Sequence, residues 1–581
     1  MTGSVMGRTR DIAAAGAVAA IAVAIAWLYY TGLYCSDDTR YLLGAIRIAV
    51  GEDISTASLA ERRVALLIPA AAMYAATRSI DWAIAIYPLF YVGLGIMAYA
   101  LARLFFPVAR ALLAALLALA QPALFLYSGA LMPDLGSAFF IVLALYLLCR
   151  MILDDDRRRQ VVFAVGTGAG IGAAFALKES SAIVLAAPLA LLVAGMARKR
   201  PVAAPAVAMF AGLAAGLLLE SILFRFTAGH WYSSIASLLD PHDFARYVEV
   251  QGRTPLARLK TLGRVLGPHT SGLFLFAGLA CVQLLSQTLR GRLAPQDMAA
   301  WWVIAGFWAW PVSYFTLGSV SLAEYAPPVI QQRYYAPFVA PAALLAVRLF
   351  VSAAGAGRAA WLRGAGRLAR AAAVLLLLSG PWAQLDQRGL MYGAPAKEAF
   401  VLAMADMQQR FPGLPVVDTD TGWTTDLNRC RALLWPEEQG GSRRLLEAIA
   451  SGSDRRGWFG YREPGELDGP HLLVGHGKLP AAPRPSRWGT GLQEWMDAGE
   501  LALGLVGVYA APSADELGAP WQPRERAVRR VSVASAPEAT VAPAPADADA
   551  EPGAAHGAPH QTVKVHLVTP GGDPMAGGAS R

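Results

Sequence analysis

Apolar stretches long enough to cross a bilayer recur along the chain at 11–33, 82–103, 107–126, 135–150, 160–177, 181–197, 203–224, 270–289, 299–318, 334–352 and 371–386. Each approaches or exceeds the roughly 20 apolar residues that a helix needs to span the hydrocarbon layer. The pattern predicts eleven transmembrane helices. A twelfth apolar stretch, 64–77, is shorter and interrupted by Pro69, and it suits an interfacial or re-entrant segment better than a crossing. The first run lacks a small-residue cleavage site and is read as an uncleaved first helix.

Basic residues sort these segments into an orientation. With the N-terminus inside and 64–77 not crossing, Arg103 and Arg110, Arg150 with Arg157–Arg159, Arg198–Arg200, Arg290 with Arg292, and the cations of 348–370 all lie on the inner side, as the positive-inside rule asks. Counting 64–77 as a crossing would move those clusters outside. The C-terminus then lies outside. This gives a polytopic α-helical membrane protein with a transmembrane domain over 1–389, a first outer loop over 34–80 and a longer outer loop over 226–268. Beyond it, 390–520 has soluble composition. Short apolar runs at Leu414–Val417, His471–Val474 and Leu501–Tyr509 predict a small α/β extracytoplasmic domain. Residues 521–581, rich in Ala, Pro, Gly and Asp, predict a disordered tail.

Composition agrees with a bilayer setting. Of 581 residues, 55% are hydrophobic and only 16% charged, against about a quarter in soluble domains. The net charge of +8 sits in short clusters between spans, so it reads as topology rather than as a nucleic-acid surface. Four widely spaced cysteines without a CxxC pair indicate neither a zinc site nor a disulfide framework.

The polar residues that topology does not explain fall on the outer side. Asp37 and Asp38 stand where the first span ends, followed by the amphipathic Tyr41, Leu42, Ala45, Ile46. Carboxylates at that interface are placed to take a proton from an acceptor hydroxyl; an ordinary helix cap has the same appearance. Pro133-Asp134 opens a span, and an acid there needs a partner or solvent. Lys178-Glu179 lies between two spans, where Lys178 is placed to hold a phosphate oxygen with Glu179 steadying it; a snorkelling lysine is the plainer alternative. Arg333-Tyr334 precedes a late span, as a bidentate phosphate ligand or as an interface anchor. Arg62 and Arg63 are the cations before Pro69.

In order and placement these motifs resemble the C-type-fold membrane glycosyltransferases, the group that includes the lipid A aminoarabinose transferases and the protein O-mannosyltransferases. The Asp-Glu-Thr-Arg-Tyr that opens the first outer loop of the aminoarabinose transferases is similar to Asp37-Asp38-Thr39-Arg40-Tyr41 here, at four of five positions. That family's Lys-Pro-Pro motif is absent from this loop. The resemblance implies Asp37 and Asp38 as catalytic carboxylates, and Arg62, Arg63, Asp134, Lys178, Glu179, Arg333 and Tyr334 as substrate-binding residues. It also implies inverting transfer of a sugar from a polyprenyl-phosphate-linked donor to a cell-envelope acceptor, at the outer face of a bacterial inner membrane. Nothing in the sequence requires a cofactor, and a divalent cation near Asp38 and Asp134 is an option. Two other classes predict different features: a secondary transporter would show inverted repeats and ionisable residues at mid-membrane, and a non-catalytic scaffold would tolerate loss of Asp37 and Asp134.

Overall fold

A computed structural model describes residues 5–30, 37–54, 60–186, 188–189, 203–233, 235, 254–270, 272–292, 294–319, 327–328, 330–356 and the strands 416–418, 471–476, 501–510 and 562–570. The chain divides into two compact units: Met1–Gly32 with Arg40–Arg388, and Leu33–Thr39 with Gly389–Arg581.

The first unit is helical. Among the described residues its helices are α1 (Val5–Leu28), α2 (Asp37–Val50, of which 37–39 are grouped with the second unit), α3 (Val64–Thr77), α4 (Ile80–Ala85), α5 (Pro88–Arg103), α6 (Val108–Leu119), α7 (Pro122–Phe125), α8 (Pro133–Leu153), α9 (Arg157–Leu177), α10 (Ala203–Thr227), α11 (Pro255–Thr270), α12 (Leu273–Leu289), α13 (Pro295–Leu317) and α14 (Val339–Ala356). Two 3-10 turns, Glu179–Leu185 and Gln332–Phe338, follow α9 and precede α14. Among the described residues, six helical stretches are long and apolar enough to cross a membrane: Thr9–Leu28, Ile80–Arg103, Pro133–Leu153, Arg157–Leu177, Ala204–Thr227 and Gln332–Ser352. The protein is a polytopic helical membrane protein.

Several boundaries differ from the hydropathy reading. The expected span 107–126 is two helices, because Pro122 holds the preceding Gln121 in an extended conformation and ends α6 after twelve residues. The start of the expected span 181–197 is the 3-10 turn to Leu185, and most of the rest lies outside the described residues, as does 371–386. The expected outer loop 226–268 contains α11, started by Pro255 in the first turn with Leu256, Leu259 and Leu262 at helical spacing. Segment 64–77 is a 14-residue helix around Pro69, too short to span.

The hairpin α8–α9 organises the unit. Each arm has 21 residues, or about 31 Å of helix, close to the thickness of the hydrocarbon layer. Asp156 caps α9 by accepting from the Arg158 backbone N–H at 2.9 Å. α9 packs closely on α10. Both carry glycines four apart, Gly168 with Gly172 and Gly212 with Gly216. A Cβ on Gly168 would overlap the Met209 carbonyl oxygen, and one on Gly212 the Val165 carbonyl oxygen, so only glycine permits this backbone approach.

In the second unit the strands β1 (Val416–Asp418), β2 (His471–His476), β3 (Leu501–Ala510) and β4 (Thr562–Pro570) form one sheet in the order β1-β2-β4-β3. β1 and β2 are parallel, and β4 is antiparallel to both β2 and β3. The three apolar runs read in this region are the first three strands. The fourth corrects the expectation of a tail without structure from 521: Val563, Val565 and Leu567 alternate with polar residues inside an otherwise Ala/Pro/Gly-rich stretch, a period that suits a strand. Whatever helical part the α/β expectation implied lies outside the described residues.

Candidate functional site

Asp134 occupies the first turn of α8, directly after Pro133, and its side chain is 1% exposed. Lys178 follows the last residue of α9, in extended backbone that carries the chain into the 3-10 turn. The hairpin therefore brings these two residues, 44 positions apart, to one end, where the Lys178 ammonium donates to Asp134 Oδ1. One turn on, Ser137 and Ser181 share a hydrogen bond of 2.6 Å. Burial draws the Lys178 ammonium down to about 8, against the opposing pull of Asp134 and with repulsion from Arg333 in the same direction as burial.

Two further segments close on this pair. The 3-10 turn before α14 lays the Tyr334 ring against Lys178, with the ammonium 3.8 Å from the ring centroid. Arg333 lies over the same ring at 5.7 Å, donates to Gln331 Oε1 at 3.0 Å and approaches Met132 Sδ at 3.9 Å. At the start of α3, Arg63 donates to the Tyr41 hydroxyl and to Glu179 Oε2 at 3.4 Å. Three cations and two carboxylates from four separate stretches of sequence thus meet at one end of the bundle. A guanidinium cannot be deprotonated here, so two of those cations are permanent. The arrangement can hold a phosphate by charge and by directed donors.

The predicted residues do not all go where the sequence reading put them. Glu179 does not steady Lys178; Asp134 does, and Glu179 pairs instead with Arg63, 116 positions away. The chain turns at Lys178, so adjacent residues face different partners. Arg62 and Arg63 also separate: Arg62 lies 5.8 Å from the Tyr232 ring centroid, and that ring packs edge-on against Phe224 of α10 at 4.8 Å. Asp37 and Asp38 form the first turn of α2, Asp37 half-buried and Asp38 buried. Tyr41 follows one helical turn after Asp37.

Three residues escaped the sequence reading. Tyr41 stood in the amphipathic pattern and in the motif resemblance with no role of its own, although its hydroxyl accepts from Arg63. Arg47 of α2, also buried, lies 3.8 Å from Glu61 and ties that helix to the chain just before Arg63. Arg258 of α11 is 1% exposed and donates to the carbonyls of Phe315 at 2.9 Å, Thr316 at 3.2 Å and Pro328. It caps the C-terminal turn of α13 and holds the strand of chain that leads to Arg333. The Phe315 ring in turn packs on Tyr334 at 5.9 Å. The signal that could have found it is a charged residue within the leucine-spaced run Leu256–Leu262. Among the described residues no group of three His, Cys, Asp or Glu is arranged to hold a metal ion.

The site is a charged cluster at one end of a bundle of apolar helices. The family model described as dolichyl-phosphate-mannose-protein mannosyltransferase matches residues 70–223, a segment that contains Asp134, Lys178 and Glu179. Over that segment, which does not hold Asp37, Arg63 or Arg333, the chain is similar to that family. No curated protein matches. Among solved structures, ArnT from Cupriavidus metallidurans bound to undecaprenyl phosphate is similar at 16% identity and a TM-score of 0.45, over 87% of this chain and 97% of that one. The archaeal oligosaccharyltransferase AglB from Archaeoglobus fulgidus, in complex with an inhibitory peptide and a dolichol-phosphate, is similar at 13% identity and a TM-score of 0.46, over 81% and 70%. An apo form of the Archaeoglobus fulgidus oligosaccharyltransferase gives 15% identity and a TM-score of 0.46; this chain covers 73% of itself and 64% of that protein's length.

Proposed function

We propose that the protein transfers a sugar from a polyprenyl-phosphate donor to a hydroxyl of a cell-envelope acceptor, on the outer face of a bacterial inner membrane. The observation that carries this reading is the meeting of Arg63, Lys178 and Arg333 with Asp134 and Glu179 at the end of a helical bundle, where a lipid-borne phosphate has its headgroup and its chain in suitable surroundings. The family match over 70–223 supports the same class of reaction.

In the proposed step the acceptor oxygen attacks the anomeric carbon while Asp37 takes its proton. The bond between that carbon and the bridging phosphate oxygen breaks, and its electron pair leaves with the polyprenyl phosphate. One displacement inverts the anomeric centre. Arg63, Lys178 and Arg333 stabilise the charge that grows on the leaving phosphate, using groups already in place before the reaction. Lys178 must be protonated for this task. Asp134 supports that form as the counter-charge without which a buried ammonium is costly.

The test is transfer of radiolabelled sugar from membrane extracts into lipid, glycan or protein, with wild type and Asp37→Asn expressed equally in a deletion background. Turnover lower by about 10²-fold or more, with the variant still inserted, is the expected result. Near-normal turnover removes Asp37 from the role of base.

A further inference from the structure

The Arg63–Glu179 pair leaves two polar atoms unused. Arg63 Nε–H, a donor, and Glu179 Oε1, an acceptor, are both shielded from solvent, and neither has a hydrogen-bond partner. The other atoms of these groups are engaged: Arg63 donates through its two terminal nitrogens to Tyr41 and Glu179, and Glu179 Oε2 accepts from Arg63. Buried polar groups are rarely left unmatched, and an unmatched carboxylate oxygen is among the costlier cases. The position is also one of charge excess, beside Lys178 and within the influence of Arg333 on Asp134.

A ligand that satisfies both atoms must offer an acceptor to Arg63 Nε and a donor to Glu179 Oε1, on two side chains that are themselves paired. A bare phosphate diester has acceptors only. A sugar linked through its anomeric oxygen to phosphate has both, because the hydroxyl on the neighbouring carbon stands beside the phosphate oxygens and carries the required proton. We propose that Glu179 Oε1 accepts a hydrogen bond from the 2-hydroxyl of the transferred sugar, making Glu179 a specificity-determining residue for 2-hydroxy sugars. This rests on the glycosyl-phospholipid reading of the site. It gives Glu179 a reason to be directed away from Lys178: it reads the sugar while Arg63 holds the phosphate.

The full-length protein in lipid nanodiscs is titrated with bare undecaprenyl phosphate, with undecaprenyl-phosphoryl mannose, glucose, galactose and arabinose, and with the 2-deoxy counterpart of each. For the sugar that binds best, wild type is expected to prefer the 2-hydroxy form by about tenfold or more, the effect of one hydrogen bond to a charged group. Glu179→Ala erases that preference: its affinities for the 2-hydroxy and 2-deoxy sugar lipids agree within about threefold. An equal loss on the bare lipid and on the sugar lipid overturns the proposal, since Glu179 then only orients Arg63; so does a wild type indifferent to the 2-hydroxyl. Should Glu179→Ala fail to fold, Glu179→Gln carries the test: a preference cut several-fold supports the assignment and an unchanged one overturns it. Wild type that binds none of these lipids removes the glycosyl-phospholipid reading itself, and this inference with it.

Discussion

The two ends of the α8–α9 hairpin use the same kinds of residue to opposite effect. At one end Asp134 and Lys178 form an ion pair whose side chains are 1% and 8% exposed. At the other, Asp154 and Asp156 meet Arg159, whose side chain is 63% exposed, at 3.5 and 3.1 Å. Water reaches Arg159 and Asp156, whose side chain is 42% exposed, so their ion pair adds little. The first group has been taken out of water, and each charge depends on the other. Burial rather than charge separates a site from a boundary.

The largest expected effect tests that dependence. Asp134→Ala leaves the Lys178 ammonium buried without its counter-charge and is expected to cost about 3–5 kcal/mol of stability, seen as a lower melting temperature of the detergent-solubilised protein and loss of transfer. The double change Asp134→Leu with Lys178→Met is expected to recover most of the melting temperature and none of the transfer, which separates folding from function at this end. Gly212→Val, which breaks the close approach of α9 and α10 beneath the site, is expected to cost about 1–3 kcal/mol in the same assay. A smaller loss would mean that the two helices can part without disturbing the bundle.

The pH dependence is subtler. Lys178 carries its charge below about 8 and loses it above, so affinity for a lipid phosphate is expected to fall as pH rises through that value. Lys178→Arg keeps its charge throughout and is expected to flatten the alkaline limb. An identical limb in that variant assigns the titration to another group. Arg62→Ala, because Arg62 turns toward Tyr232, is expected to weaken donor binding far less than Arg63→Ala in the same titration. Smallest of all, Arg159→Ala at the far end is expected to leave both melting and transfer unchanged, as for most exposed ion pairs.

Much of the bundle was legible beforehand. The runs at 135–150, 160–177 and 203–224 lie within α8, α9 and α10, and the three apolar runs beyond residue 390 are strands. The errors have local causes: hydropathy averaging passes over the conformational break that Pro122 imposes, a largely exposed helix bearing Arg258 and Lys260 scores as a loop, and a nine-residue strand is lost in a low-complexity tail. Of the candidate site, the residue types and their common end of the bundle were legible because each stands at a boundary between apolar and polar sequence. Their pairing was not, and neighbouring residues were wrongly expected to act together.

Sequence alone determined where helices form and which polar residues collect at their ends, because hydropathy, turn chemistry and the sign of charge act over a few residues and sum along the chain. Only the tertiary structure decided that Glu179 turns from its neighbour to Arg63, that Arg62 and Arg63 part, and that Asp134 rather than Glu179 serves Lys178. Those choices depend on how closely helices approach, as the glycines of α9 and α10 allow, and on which charge is left in the dark once water has been excluded.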